Sequence, residues 1–432
     1  MKKPLLLIIG PYKTRSGYGQ HSRLLLNAIY NSPEIIDEYD IKLMSTKWGS
    51  TPLIKLNHED GFEKWLIDNE IIQVQEQPDV SIQITIPSEF QRIGKFSIGI
   101  TAGTEVTIAP LKFIEGCNLV DLIITPSQFT KDVLLGTKYD KRNQQGQIEH
   151  TLQINKPIEV LFEGYDPNIF DKNKVTHTSE LSKFIKSIKE EFCFLSVGTW
   201  LQGDLGQDRK DIGMTIKVFY DTFKNKKNRP GLLLKVNGAG FSHPEKDQII
   251  NKINDIQELV RAEGFNGEFP NVYLLNGELT DAEMNLLYNH PKIKAMVSFT
   301  KGEGYGLPLL EFTSTGKPII CSGYSGLMDF LNPEFSFLLP GELTQIHRSA
   351  VNDFLPKEGH WFTVNYSLAS QVLNDCFQNY EKYLEKSRKH IQYSKNNFSL
   401  TKMQERFLEI WKNNIKFVPK QLSLNLPKLR KV

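Results

Sequence analysis

Cysteine is scarce: the 432 residues hold four, Cys117, Cys193, Cys321 and Cys376, with no Cys-x-x-Cys pair and no Cys/His cluster at zinc-finger spacing. That scatter argues against a disulfide framework or a zinc ribbon, and each thiol reads as a small core hydrophobe in a reducing compartment. An excess of charge of one sign is also missing. With 52 Lys+Arg against 50 Asp+Glu the net charge is +2, and a dedicated nucleic-acid binder normally carries a clear basic excess. Long hydrophobic runs are lacking as well. No stretch approaches the ~20 apolar residues of a membrane span. The run Leu5–Ile9 behind Met1-Lys2-Lys3-Pro4 is too short for a signal-peptide core and leads to no small-residue cleavage site. The expectation is a soluble cytoplasmic protein. No Asp-x-Asp pair, short-period repeat or low-complexity tract occurs.

What is present is core material. A chain that is 40% hydrophobic and 24% charged can bury a sizeable interior, and its length divided by ~150 predicts two or three domains. Leu5–Ile9 is a continuous apolar run, the mark of a strand buried on both faces. A glycine-bearing loop, Gly10 to Gly19, and a helical stretch, His21–Tyr30, follow it. Further strands are expected at Ile41–Ser45, Val80–Ile86, Phe96–Ile100, Leu122–Thr125 and Ile158–Leu161. Residues 136–156 read as an exposed loop and 171–190 as a connector.

The same grammar then restarts. Strands are expected at Phe192–Val197, Leu232–Asn237, Val272–Leu275, Ala295–Phe299 and Pro318–Ser322, and helices at Ile212–Phe223, Pro244–Glu263 and Thr280–Tyr288. Tyr366–Tyr383 and Thr401–Ile415 also look helical. The fold class is therefore α/β. The expected division is 1–175, 185–400, a C-terminal helix at 401–418 and a basic tail at 419–432. In that tail Lys420, Lys428, Arg430 and Lys431 interleave with Leu422, Leu424, Leu426 and Leu429. It is either a solvated end or a peripheral contact with anionic lipid.

Ligands of open parallel sheets bind beyond the carboxyl ends of the strands. The most informative loop there is Thr300-Lys301-Gly302-Glu303-Gly304-Tyr305-Gly306-Leu307-Pro308, running on to Glu311. Its glycines allow close backbone approach. Pro308 suits a first helical turn, and a helix N-terminus presents free N–H groups to phosphate. Carboxylates repel phosphate, so Glu303 and Glu311 make more sense gripping hydroxyls of a ribose or hexose.

The string Glu303 to Glu311, followed by Gly316-Lys317-Pro318-Ile319-Ile320, resembles the E-x7-E signature of glycosyltransferase family 4. Other segments resemble that family in the same order. They are Asp121 to Phe129, Glu163 to Phe170, Gly198 to Lys210 and Leu275 to Glu283. The resemblance implies a GT-B fold, in which two Rossmann-like parallel-sheet domains face each other across a cleft and the C-terminal helix crosses back to the first domain. It implies a retaining, nucleotide-sugar-dependent hexosyltransferase with no cofactor and no metal. The partners would be a UDP- or GDP-type sugar donor and a glycan, lipid-linked or other hydroxyl acceptor. The near-neutral charge gives a nucleic-acid acceptor little support.

Carried over by position, Glu311 would bind the ribose and Glu303 the donor sugar. The N–H groups around Gly304, Tyr305, Gly306 and Leu307 would face sugar and diphosphate. Arg209 and Lys210 would neutralise the leaving diphosphate, a role that also follows from the charge building on departing phosphate. Gly17, Gly19, Gly198 and Leu279 would line the donor site, and Thr104 and Glu105 the acceptor side. Two departures stand out: Thr199 and Trp200 occupy the place of an arginine found in many relatives, and the loop Leu201–Asp208 is longer than usual. Some relatives also place a histidine in the Gly99–Val106 stretch, where none occurs here. Trp200 is expected to pack. These departures leave open a catalytically silent nucleotide-sugar or glycan binder of the same fold.

Overall fold

The computed structural model describes residues 2–175, 180–238, 240 and 242–415. Two six-stranded parallel sheets organise them. The first contains β1 (Leu5–Gly10), β2 (Asp40–Ser45), β3 (Val80–Ile84), β4 (Phe96–Ile100) and β5 (Leu122–Thr125). Between β5 and its last strand the chain makes a separate ribbon of β6 (Tyr139–Arg142) and β7 (Ile148–Leu152), and β8 (Ile158–Val160) then completes the sheet in the order β2-β1-β3-β4-β5-β8. The second contains β9 (Cys193–Thr199), β10 (Gly231–Asn237), β11 (Val272–Leu274), β12 (Ile293–Ser298), β13 (Ile319–Ser322) and β14 (Phe337–Leu339), in the order β11-β10-β9-β12-β13-β14. The central strands are buried, apolar in the main with a few enclosed polar side chains such as Ser81 and Gln83. All five residues of β3 are buried, and Leu6 of β1 aligns with Ile41 on one side and Val80 on the other.

Helix starts follow local capping chemistry. Ser16 accepts from the Gly19 N–H to open Gly17–Tyr30, and Thr280 with Glu283 makes a reciprocal capping box for Asp281–Asn289. Gly306, at φ +105°, caps Leu307–Thr313, with Pro308 in its first turn as expected.

The structure corrects three expectations. Residues 136–156 are no loop: β6 and β7 pair antiparallel, Tyr139 opposite Leu152. Their side chains are mostly exposed on both faces, so no alternation betrays them. The 171–190 connector contains the helix Glu180–Ser187, seated through Leu181 and Ile185. The Tyr366–Tyr383 helix breaks at Asn379 into Tyr366–Gln378 and Tyr380–Ser387. In addition, β15 (Gly341–Gln345) and β16 (His360–Val364) form an antiparallel hairpin in a stretch with no expected element.

The last described helix, Leu400–Asn414, returns to the first domain as expected. Met403, Phe407, Ile410 and Trp411 join the core of the first sheet, and Arg406 pairs with Glu159 at 3.0 Å. No described helix is long and apolar enough to cross a membrane. The basic tail at 419–432 lies outside the described residues.

The two sheets' loops meet directly. Ser127 donates to the Gly304 carbonyl at 2.6 Å, and Gln128 N–H to Asp329 at 2.8 Å. On the hairpin, Thr107 N–H donates to the His360 carbonyl at 3.0 Å, and Val106 joins a cluster with Ile346, Leu355 and Trp361.

Candidate active site at the interdomain cleft

The loop after β9 and the loop after β12 bring their charged residues together. Lys210 Nζ lies 2.5 Å from Glu303 Oε1, and Arg209 Nη1 lies 3.3 Å from Glu303 Oε2. Thr300 donates to Glu303 Oε1 at 2.8 Å, and Ser325 Oγ accepts the Glu303 N–H at 2.9 Å. From the first domain, Glu105 reaches to 3.7 Å from Arg209. Thus Arg209, Lys210, Glu303 and Glu105 form one cluster spanning the two domains. Although burial opposes its charge, Lys210 and Arg209 hold Glu303 below the usual carboxylate range. Burial pulls the Lys210 ammonium down, with Glu303 opposing. A diphosphate arriving here would exchange one carboxylate for several charge-assisted contacts to the same cations.

Gly198 lies beneath this cluster, where an added Cβ would stand 3.7 Å from the stem of Lys210. Gly302 and Gly304 have another cause. A Cβ on Gly302 would come within 1.8 Å of the Glu105 carbonyl oxygen, and one on Gly304 within 2.1 Å of that of Ala102. These glycines admit the other domain's backbone. Closure of the two halves is therefore written into the loop that holds Glu303.

Glu311 sits apart from the cluster, in the helix Leu307–Thr313. Its Oε2 accepts from the Tyr288 hydroxyl at 3.0 Å. Burial, then the Asp281 carboxylate, push its carboxyl well above the ordinary value, with Glu163 adding. It faces a cavity of about 390 Å³ between the domains, lined also by Leu307, Thr280, Asp281, Arg15 and Arg23. Arg209, Lys210 and Glu303 are not among the lining residues of that cavity. The cluster and the cavity are instead linked through the backbone from Glu303 to Glu311.

The remaining candidates are distributed as follows. Tyr305 turns its ring into the core against Phe330, 5.0 Å between centroids, leaving only its backbone for a ligand. Leu279 packs on the second domain's core while its neighbours Thr280 and Asp281 line the cavity. Gly19 is required by the Thr14 carbonyl, 2.2 Å from a built Cβ, whereas Gly17 has open space. Thr104 is buried, with its N–H on Thr130 at 3.4 Å, and the structure gives it no bond to the charged cluster. Trp200 packs in the second core. Among the described residues, no group of three or more His, Cys, Asp or Glu could hold a metal ion.

Three features escaped sequence reasoning. Arg15 pairs with Glu278 across the cleft at 2.6 Å. Asp211 and Lys301 form a buried pair beneath the cluster at 3.4 Å. The β15–β16 hairpin packs on the first-domain loop at Val106 and Thr107. The second had a signal, since Asp211 and Lys301 stand beside Lys210 and Glu303 in the sequence, but their pairing is a long-range contact.

No protein-family model matches the chain, and no curated protein matches it in sequence. In fold it is similar to a glycosyltransferase from Rickettsia africae ESF-5, at 15% identity and TM-score 0.59, over 96% of this chain and 100% of that one. It is similar also to Anabaena Alr3699/HepE in complex with UDP and glucose, at 12% identity and TM-score 0.58, over 95% and 100%. A third is an α,α-trehalose-phosphate synthase (UDP-forming) from Burkholderia xenovorans in complex with glucose-6-phosphate, at 9% identity and TM-score 0.60, over 94% and 99%. At such identities the likeness establishes the fold, the two-domain GT-B arrangement.

Proposed function

We propose that the chain is a glycosyltransferase that moves a hexose from a UDP- or GDP-type nucleotide sugar to a hydroxyl acceptor. One observation carries the reading: Lys210 and Arg209 converge on Glu303 at the domain interface, and the same loop leads into the helix that places Glu311 in the interdomain cavity. Two fixed cations can receive a pyrophosphate, and a buried carboxyl one helix turn beyond can bind a ribose. Complexes of the Anabaena protein with UDP and with UDP-glucose support a nucleotide-sugar donor.

In this reading the departing diphosphate builds negative charge against Arg209 and Lys210, which stabilise it without reorganising. The family 4 resemblance supports retention through front-face displacement, with the leaving phosphate helping to deprotonate the acceptor hydroxyl, and cations doing the work of a divalent metal. The family 4 resemblance assigns Glu105, 3.7 Å from Arg209, to the acceptor side. Because Gly302 and Gly304 touch Glu105 and Ala102, donor entry requires the two halves to part, and closure then excludes water. We place the enzyme in the cytoplasm. The intact pairing of Glu303 with both cations favours catalysis over silent binding.

The test is direct. Lys210→Ala and Glu311→Ala should each cut transfer at least a hundredfold in a protein that stays folded by circular dichroism. Wild-type turnover in both variants would refute the assignment.

A further inference from the structure

Asp211 directly follows the two cations and has a left-handed backbone, φ +52° and ψ 37°, a conformation strained for a residue with a β-carbon. Its carboxylate is fully buried, and so is the Lys301 ammonium facing it at 3.4 Å. Tyr366 donates to Asp211 Oδ2 at 2.6 Å. Lys301 donates to Thr363 Oγ1 at 3.1 Å and lies 5.5 Å from the centre of the Trp361 ring. The other carboxylate oxygen, Oδ1, has no hydrogen-bond partner among the described residues.

As a stability device this arrangement is poor. A buried ion pair of loose geometry with an unsatisfied oxygen serves a core no better than two apolar side chains would. Its location is what distinguishes it. Asp211 adjoins Lys210, while Lys301 stands two positions before Glu303 and donates its backbone N–H to the Arg209 carbonyl at 2.8 Å. The pair thus joins the loop that carries the cations to the loop that carries their carboxylate. A strained residue in a bond between two site loops points toward function rather than packing.

We propose that Asp211 and Lys301, anchored by Tyr366, form a positioning clamp that fixes the Arg209-Lys210 loop against the Glu303 loop and so sets where the cations receive a diphosphate. The inference rests on the donor reading above. Neither residue is assigned a contact with the donor, and both act through Arg209 and Lys210. Misplacing a charge-stabilising group by about 1 Å can cost on the order of a hundredfold in rate. The clamp also extends to the acceptor side, because β16 supplies Trp361 and Thr363 on one face and holds Thr107 through His360.

The experiment compares wild type with Asp211→Asn, Lys301→Met, the double variant Asp211→Asn/Lys301→Met and Tyr366→Phe, with Glu311→Ala as control. UDP-glucose, GDP-mannose and ADP-glucose are the probes, and the readouts are release of nucleoside diphosphate and thermal melting. The clamp predicts at least a tenfold fall in kcat in the double variant even though its melting temperature stays near wild type, since no buried charge is left unpaired. It predicts a several-fold fall in Tyr366→Phe, which loses one hydroxyl and no charge. Wild-type kcat in either of these two would overturn the clamp. If instead wild type neither binds nor cleaves any of the three donors, the donor reading fails first and the clamp with it.

Discussion

Gly304 carries its carbonyl to Ser127 and its Cα against Gly103, so a single methyl group there meets the backbone of the other domain. Gly304→Ala should hold the halves apart and lower kcat at least tenfold, with both sheets still folded. Steady-state kinetics beside circular dichroism would check this, and a wild-type rate would show that closure at this point is dispensable. Asp211 gives a pH prediction. Burial pushes its carboxyl up to about 7, with Lys301 and the Tyr366 hydroxyl pulling the other way and Asp208 adding to the rise. The unfolded value is about 3.9. Between these values the folded state keeps a proton that the unfolded chain has released. The stability this group contributes is therefore full below about pH 4 and fades as pH climbs through 7. Urea melts should show wild type losing more stability from pH 5 to pH 8 than Asp211→Asn; equal losses would contradict the argument.

At the level of elements, the helix Leu400–Asn414 ties the end of the chain to the first sheet through Phe407 and Trp411, whose rings lie 5.8 Å apart. Phe407→Ala removes a fully buried ring and should cost about 3–5 kcal/mol of stability in urea titration, since the core can collapse only in part around the void. This helix was legible in the sequence because its apolar residues recur at helical spacing. The strands were legible for a simpler reason: covered on both faces, runs such as Leu5–Ile9 carry almost no polar side chains. The ribbon of β6 and β7 lies largely in solvent, and Tyr139-Asp140-Lys141-Arg142 therefore looks like a loop. The β15–β16 hairpin was hidden for another reason. Its Trp361, together with Ile346 just beyond β15, answers to Val106, which lies more than two hundred positions away.

For the whole molecule, motif residues were readable one by one, but their partners were not. The pairing of Glu303 with Lys210 joins residues 93 positions apart, and that of Arg15 with Glu278 joins the two domains. Such contacts depend on how the sheets face each other, which composition and periodicity do not encode. The facing sheets make ligand binding and stability one problem. A nucleotide seated between them at a hundred times its dissociation constant should add roughly 2.7 kcal/mol to unfolding, visible as a rise in melting temperature. Of UDP, GDP and ADP, the one that raises it most identifies the base.

The decisive measurement is calorimetry of that nucleoside diphosphate, and of its parent nucleoside, against wild type, Lys210→Ala and Glu311→Ala. If cations hold the diphosphate and the buried carboxyl holds the ribose, Lys210→Ala weakens only the diphosphate, and Glu311→Ala weakens both ligands alike. Undiminished diphosphate binding by Lys210→Ala would contradict the account.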